Sequence, residues 1–437
     1  MKIGGLISGL DTETLIQQLM AIERRPVQLM QTRQDKLKTC RTAWSDLKVK
    51  LNDVKAAVAD LKLAATFSGR VVESGDAKVV TAEAASAATP GQYAVSITTL
   101  AQAHKVASDR QSSTSAPLGL TGTFYVNANP VTIDAADSLL DVRDAVNSAG
   151  AGVAATVVDN TLVIARSETG ATEVAFVDDA ATDILTTLGV LDAADAVKHE
   201  LVVAQDASFT VDDLTITRSS NTVSDVIPDV TLQLAGASTS DVTLTVKADA
   251  DAAVTKVKAF VEKYNAALAA VAGELTQGGR LRGDTTLAGI QVDMRKAVSE
   301  AVAGLPSGYD RLSAMGITAS GTAGTLVLDE AKFRKAFAAN PAATGNLFGA
   351  ESETSPGVAT RLNDILDGLT RTAGIIPTKD SGLGRQISDL GQRMSAFEKH
   401  LEASEAVLTA KFQQMEIMMS SLKNQSGWLD SFSTKNQ

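Results

Sequence analysis

Two runs of apolar residues at spacings of three and four occupy the two ends of this chain. Near the start, Leu37, Cys40, Trp44, Leu47, Leu51, Val54, Val58 and Leu61 keep the pattern without a miss. The phase extends back through Ile16, Leu19, Pro26 and Met30, with Glu23 and Arg33 as polar interruptions. Near the other end, Leu383, Ile387, Leu390, Met394, Phe397, Leu401, Leu408, Met415, Met418, Leu422 and Leu429 hold one phase, broken by Ser404, Lys411 and Gln425. Such spacing draws a narrow apolar stripe along a helix, and a narrow stripe is covered by another helix. The ends are therefore expected to pair, with each other or with neighbouring subunits, which favours assembly over catalysis.

Between the ends the texture changes. Residues 3–10 are too glycine-rich for a stable helix, and Asp11 or Thr12 caps the first helix, with Glu13 in its first turn. Pro26 is expected to break or kink the helix, dividing a piece that ends near Met20 or Glu23 from one running from Val27 to Leu63. Past Phe67-Ser68-Gly69 the period falls to two, at Tyr93/Val95/Ile97, Phe124/Val126, Phe209/Val211, Val230/Leu232/Leu234 and Val242/Leu244/Val246. These predict half-buried strands. One helix interrupts them, over Ser138–Ser148, and loops are expected at Ser108–Gly122 and Asp178–Ala196. Helical spacing returns at Val254, Val257, Val261, Tyr264, Leu268, Val271 and Leu275. A strand Thr325–Leu328, a helix Asp329–Ala339, a helix Val358–Leu369 and a Gly/Pro-marked connection up to Gly384 precede the final heptads.

The expected fold class is a multidomain α+β protein: terminal coiled-coil helices form a leg and stalk, with two inserted β-rich head subdomains. The expected divisions are 1–42 with 395–437 as legs, 43–69 with 251–394 as stalk, 70–108 with 198–250 as inner head, and 109–197 as outer head.

Composition narrows the function classes. At 437 residues the chain is too long for one core. With aromatics at 4%, the cores rest on Val, Leu, Ile and Ala. No apolar run reaches the roughly 20 residues that cross a bilayer, and Asp11 and Glu13 interrupt any secretory signal. Cys40 is the single cysteine, so no intramolecular disulfide exists, and its place on the stripe predicts a small buried side chain. Residues 1–63 carry 11 Lys/Arg against 7 Asp/Glu, whereas residues 70–250 carry 9 against 24. So acidic a middle argues against nucleic-acid binding there.

Candidate chemistry is sparse. No phosphate-binding loop, nucleophile elbow or paired Cys/His spacing is present, and no cofactor is expected. His104, His199 and His400 lie far apart, and His199-Glu200 lacks the second histidine of a zinc helix. Asp178-Asp179 and Asp212-Asp213 read as solvated turns before cation sites. Arg282-Gly283-Asp284 spells an adhesion tripeptide but reads as a turn plus a helix cap before Thr285.

Three segments resemble the flagellar filament cap family, hook-associated protein 2. The opening Ile7-Ser8-Gly9-Leu10-Asp11-Thr12-Glu13-Thr14-Leu15-Ile16, with Met20-Ala21-Ile22-Glu23-Arg24-Arg25-Pro26, is similar to the family's N-terminal signature. Val131-Thr132-Ile133-Asp134 through Ser138-Leu139-Leu140-Asp141-Val142, then Val146-Asn147 and Leu162-Val163-Ile164, resembles the repeat in outer domains of flagellins and hook-associated proteins. Phe260-Val261-Glu262-Lys263-Tyr264-Asn265, Gly283-Asp284, Met315-Gly316-Ile317 and Leu328-Asp329-Glu330 match the family's C-terminal half in order.

The resemblance implies a structural protein, not an enzyme, exported by the flagellar type III apparatus to the filament tip. There a ring-shaped homo-oligomer would retain flagellin and promote its folding and polymerisation. Implied partners are other copies of the chain, flagellin, the hook–filament junction proteins and an export chaperone at the C-terminal helix; no nucleic acid or membrane insertion is expected. On the terminal legs, Leu15, Ile16, Leu19, Met415, Met418, Leu422, Trp428 and Leu429 are the expected oligomerisation or flagellin contacts. Ordinary core packing is the alternative role for the Met415/Met418/Met419 cluster. Leu37, Cys40, Trp44, Leu47, Leu51, Val54, Val58, Val261, Tyr264 and Leu268 are the expected coiled-coil core. The competing function is a surface adhesin whose acidic head binds host mucin or glycans.

Overall fold

A computed structural model describes residues 11–179, 181–321 and 324–433, with side chains described through Leu429. The glycine-rich opening and the start of the N-terminal signature, Ile7 to Leu10, lie outside the described residues. The chain opens on helices α1 (Thr12–Glu23) and α2 (Arg25–Lys62) and a single turn, α3 (Ala65–Ser68). Next come strands β1 (Arg70–Ser74), β2 (Val80–Ala84), β3 (Gly91–Thr99), β4 (Lys105–Ala107), β5 (Gly122–Val126) and β6 (Asn129–Ile133). After α4 (Leu139–Ser148) come β7 (Val153–Val158), β8 (Thr161–Arg166), β9 (Phe176–Val177) and α5 (Ile184–Leu188). The return path is β10 (His199–Val202), β11 (Ala207–Val211), β12 (Leu214–Arg218), β13 (Thr222–Ile227), β14 (Val230–Leu234) and β15 (Ser238–Ala248). The remainder is α6 (Ala250–Leu275), α7 (Thr285–Ser299), β16 (Ile317–Ser320), β17 (Thr325–Leu328), α8 (Glu330–Ala339), α9 (Pro341–Gly349), α10 (Val358–Thr370) and α11 (Ile375–Ser433).

Two compact units result. One gathers the residues up to Leu63, Val254–Arg334 and those from Ala343 onward; the other holds Ala64–Ala253 with Lys335–Ala342.

In the helical unit α2 packs against α10 and α11. Trp44, Leu47, Leu51, Val54, Val58 and Leu61 are buried along α2, as are Val261, Tyr264 and Leu268 on α6. Leu37 and Cys40 are only half-buried, so the fully dry part of the stripe begins at Ala43 and Trp44. Helices α2 and α11 run unbroken through 42/43 and 394/395, where a leg–stalk division was expected. Helix α11 also starts at Ile375, nine residues before the expected end of the Gly/Pro connection at Gly384, with Pro377 in its first turn. Proline is tolerated there because first-turn N–H groups have no intrahelical partner. The same reason lets α2 begin at Arg25 with Pro26 in its first turn, and the two-helix division at that proline stands.

The β unit has two lobes, each with its own core. In the inner lobe a five-stranded sheet, ordered β1-β15-β3-β11-β12, and a three-stranded sheet, β13-β14-β2, share Val80, Val95, Ile97, Phe209, Leu232 and Leu244. In the outer lobe the sheets β10-β4-β8-β7 and β6-β5-β9 close with α4 and α5 over Phe124, Ile133, Leu139, Val142, Ile164 and Leu185. Strands β4 and β10 pair within the outer lobe, inside the stretches assigned to the inner head by boundaries at 108 and 198. The chain instead crosses between lobes near the Gln102–Gln205 bridge. Three hairpin turns, Asn127-Ala128 and Asp159-Asn160 in the outer lobe and Asp212-Asp213 in the inner lobe, place both central residues at positive φ. That backbone twist matches the strands it joins.

Candidate assembly surface on the terminal helices

Helix α1 begins where Asp11 accepts the Thr14 N–H at 3.0 Å. Its inward residues are Thr12, Ile16 and Met20, spaced by four, and Met20 is buried. The inward stripe continues in α2 through Val27, Met30, Gln34 and Leu37. Leu15, Leu19, Ile22 and Leu29 are exposed and form a separate stripe about 90° around the helix at 100° per residue. The expected single seam thus divides: Ile16 and Met30 turn inward, whereas Leu19 and Pro26 face solvent.

Helix α11 lies against both α1 and α2. Its inward stripe follows the expected heptads from Leu383 to Leu408. Beyond that point Phe412, Glu416 and Ser420 turn inward, and Met415, Met418 and Leu422 do not. Steps of four advance the stripe by about 40° each, which carries it off the heptad phase. Met415, Met418, Met419, Leu422 and Leu429 are left exposed on one face within about 100° of arc. Residues 421–429, including Trp428, are exposed without exception. The single chain therefore does not use the methionine cluster as core, and core packing is not its role in this state.

Polar contacts fix the register beneath this surface. The Gln34 amide donates to the Ile387 carbonyl at 3.1 Å, and the Arg41 guanidinium donates to both oxygens of Asp380. Lys55 donates to Asp367 at 2.6 Å. The hydrogen bond from Arg41 holds the Asp380 carboxyl below the usual carboxylate range, and Lys55 does the same for Asp367. The Lys379 ammonium sits 5.6 Å from the centre of the buried Trp44 ring, an attraction of the kind worth about 0.5–1 kcal/mol or more. The Cys40 thiol points at the Arg280 carbonyl, 3.3 Å away. Near the tip, Arg24 meets Glu405 at 3.5 Å with both side chains exposed, a contact of little energetic weight.

The remaining candidates resolve into structural roles. His104 is buried; its Nδ1 accepts the Val174 N–H at 2.9 Å and its Nε2 lies 3.2 Å from Glu200. His199 and Lys198 both bind Asp109, whose carboxyl is held low by the Lys198 hydrogen bond and then that of His199. Asp178 accepts the Leu185 and Thr186 N–H groups at the start of α5. Asp212 accepts the Ala94 N–H, and its turn joins β11 to β12. Gly283 takes φ +79°, and Asp284 caps α7 by accepting from Thr286 and Leu287, so the tripeptide is a turn and a cap. Among the described residues no group of three His, Cys, Asp or Glu side chains is placed to hold a metal ion, and no helix is long and apolar enough to cross a membrane.

The chain thus combines long helices near both ends, a two-lobed β insertion and exposed apolar faces on the terminal helices, an architecture that its relatives share. The model of the flagellar hook-associated protein 2 C-terminus matches residues 204–424, that of the N-terminus residues 8–104, and the flagellin hook IN motif residues 119–168. The chain belongs to the flagellar hook-associated protein 2 family. It is 28% identical to flagellar hook-associated protein 2 of Escherichia coli O157:H7, over 97% of this chain and 96% of that one. It is equally 28% identical to the A-type flagellar hook-associated protein 2 of Pseudomonas aeruginosa, over 97% and 95%. The crystal structure of the D1-D2-D3 domains of the Escherichia coli flagellar cap protein FliD matches with TM-score 0.59 and 29% identity, covering 78% of this chain and 99% of that one. The family is one of structural flagellar proteins, and the repeat found by sequence falls in the outer lobe.

Proposed function

We propose that the chain caps the tip of the bacterial flagellar filament as a ring-shaped homo-oligomer. The ring retains exported flagellin and promotes its folding and polymerisation. One observation carries the reading: α11 continues for more than two turns, residues 421–429, with every residue exposed, Leu422 and Leu429 among them. A helical end with little tertiary packing has little beyond propensity to hold it, because most helical stability in proteins comes from packing an apolar face. Each Leu-sized side chain covered by a partner contributes about 1.5–3 kcal/mol, enough in sum to offset the ordering of the tip. The tip therefore gains order and stability on docking, which suits a leg inserted between filament subunits.

The mechanism assigns the two units different work. The legs, 1–42 with 395–437, grip flagellin and neighbouring copies through Leu15, Leu19, Met415, Met418, Leu422, Trp428 and Leu429; Ile16 supports α1 from within. The stalk, anchored by Trp44, Leu47, Leu51 and Val54 against α10 and α11, holds the legs in register. The charge of the acidic β unit, 9 Lys/Arg against 24 Asp/Glu over residues 70–250, keeps the head of each subunit solvated. Before export by the type III route the same C-terminal face is the place for a chaperone, and at the first assembly step the legs meet the hook–filament junction.

Deleting the gene in its host tests the reading. Abundant monomeric flagellin in the medium with short or missing filaments, reversed by the intact gene, is the expected result. Normal filaments and unchanged flagellin release would overturn it.

A further inference from the structure

The chain has nine methionines. Met294 and Met315 are fully buried and Met20 is 3% exposed, whereas Met418 is 66%, Met419 39% and Met415 37% exposed. Met30 and Met394 are half-buried under the inward stripe. Cys40 is half-buried with its thiol turned to a backbone carbonyl. The open thioethers of the described residues are thus gathered within five positions, on the same α11 face as Leu422 and Leu429.

We propose that Met415, Met418 and Met419 form an oxidant-sensitive modification site that switches the leg tip between a docking and a non-docking state. The oxidant is a peroxide or hypochlorous acid. With a peroxide, a lone pair on the thioether sulfur attacks the terminal oxygen, the O–O bond breaks, and sulfur keeps that oxygen as the sulfoxide. With hypochlorous acid the sulfur attacks chlorine, the O–Cl bond breaks with loss of hydroxide, and water then displaces chloride from sulfur to give the same sulfoxide. The oxidant leaves reduced as water or chloride, with protons passing to solvent. No bond of the chain is cut, and sulfoxide reduction by a thiol-dependent reductase restores the side chain. The product replaces a polarisable apolar group with a strong dipole and acceptor, in the middle of a face whose docking requires dry contact. The modification itself follows from exposure alone. Its consequence for docking rests on the assembly reading above.

Two measurements on the full-length protein keep these apart. Peroxide titration followed by peptide mass mapping reads the site. Met418 is expected to gain oxygen first, with Met415 and Met419 next, and all three at least about tenfold faster than Met20, Met294 and Met315. Oxidation of the buried methionines at the same rate would overturn the site. Capping of flagellin polymerisation by the purified protein reads the switch. Oxidised wild type is expected to lose capping at least about fivefold, with recovery after treatment with a methionine sulfoxide reductase. A variant carrying Met415→Leu, Met418→Leu and Met419→Leu removes the thioethers and keeps the face apolar, so whatever its untreated level of capping, peroxide is expected to lower it no further; a fivefold loss on treatment would overturn the switch. Full activity of the oxidised wild type would overturn the switch while leaving the mapped site standing. Failure of untreated wild type to cap would overturn both the assembly reading and the switch that depends on it, and the mass map would still decide the site.

Discussion

The guanidinium of Arg41 grips the carboxylate of Asp380 with hydrogen bonds of 2.7 and 3.1 Å, tying the middle of α2 to the first turns of α11. Three positions later Trp44 is buried under Lys379, the neighbour of Asp380. Register between the two long helices is thus set by a polar clasp beside an aromatic anchor, and the apolar stripe runs out from there in both directions.

The clasp makes a pH prediction with a fixed sign. Asp380 titrates below its ordinary value because Arg41 hydrogen-bonds the charged form, so the clasp stabilises the fold above about pH 3.9 and that stability is lost as pH falls through the lower folded value. The difference in thermal midpoint between wild type and Asp380→Asn should be present at pH 7, shrink as the pH falls below about 3.9, and disappear once the pH has passed the lower folded value. A difference that persists in acid would show that the clasp acts through packing instead of charge.

Burial separates two substitutions with the same chemistry. Leu47 is buried in the helical unit, so Leu47→Asp places an unpaired charge there and is expected to cost about 3–5 kcal/mol, or to prevent folding. Leu422 is exposed, and Leu422→Asp should change stability by under about 0.5 kcal/mol while impairing capping. Equal losses in a denaturant titration would remove the distinction between stalk core and docking face.

Tyr264 offers a test of the core in the opposite direction. Its hydroxyl is buried without a hydrogen-bond partner among the described residues, and burial pushes its pKa up to about 12. Tyr264→Phe removes the unsatisfied group and keeps the ring that packs on Phe260, 5.9 Å between centroids. The variant should be as stable as wild type or up to about 1–2 kcal/mol more stable in urea unfolding. A clear loss would mean that the hydroxyl is satisfied in solution.

In the outer lobe Gly189 takes φ +78°, and an added Cβ would collide with the Asp109 carboxylate that Lys198 and His199 hold. Gly189→Ala is expected to destabilise the β unit by about 2 kcal/mol or more, seen as an early melting transition. An unchanged melt would show that the Asp109 cluster is free to move aside.

Much of the fold was legible from residues alone. Period-two alternation located β11, β14 and β15, and the Ser138 start of α4 is a true capping box with Asp141. Asp284 was readable as a cap because glycine and aspartate preceded a helical run. Less legible was which apolar face turns inward once a helix carries two. Leu15 and Leu19 differ from Ile16 and Met20 only in where α11 lies, and that is a tertiary fact. Likewise, nothing local distinguishes Phe412 from Met415; the partner's path draws the stripe away from its heptad phase. Strands β4 and β10 were missed as outer-lobe strands because pairing over a gap of almost a hundred residues leaves no local trace.

The most direct test of the central claim compares the host deletion strain carrying wild type with the same strain carrying Leu422→Asp and Leu429→Asp, measuring flagellin released to the medium against flagellin in filaments. If the exposed α11 face caps the filament, the doubly substituted protein recovered from the medium will be folded and stable, yet most flagellin will appear there as monomer. Filaments of normal length with that variant would contradict the account.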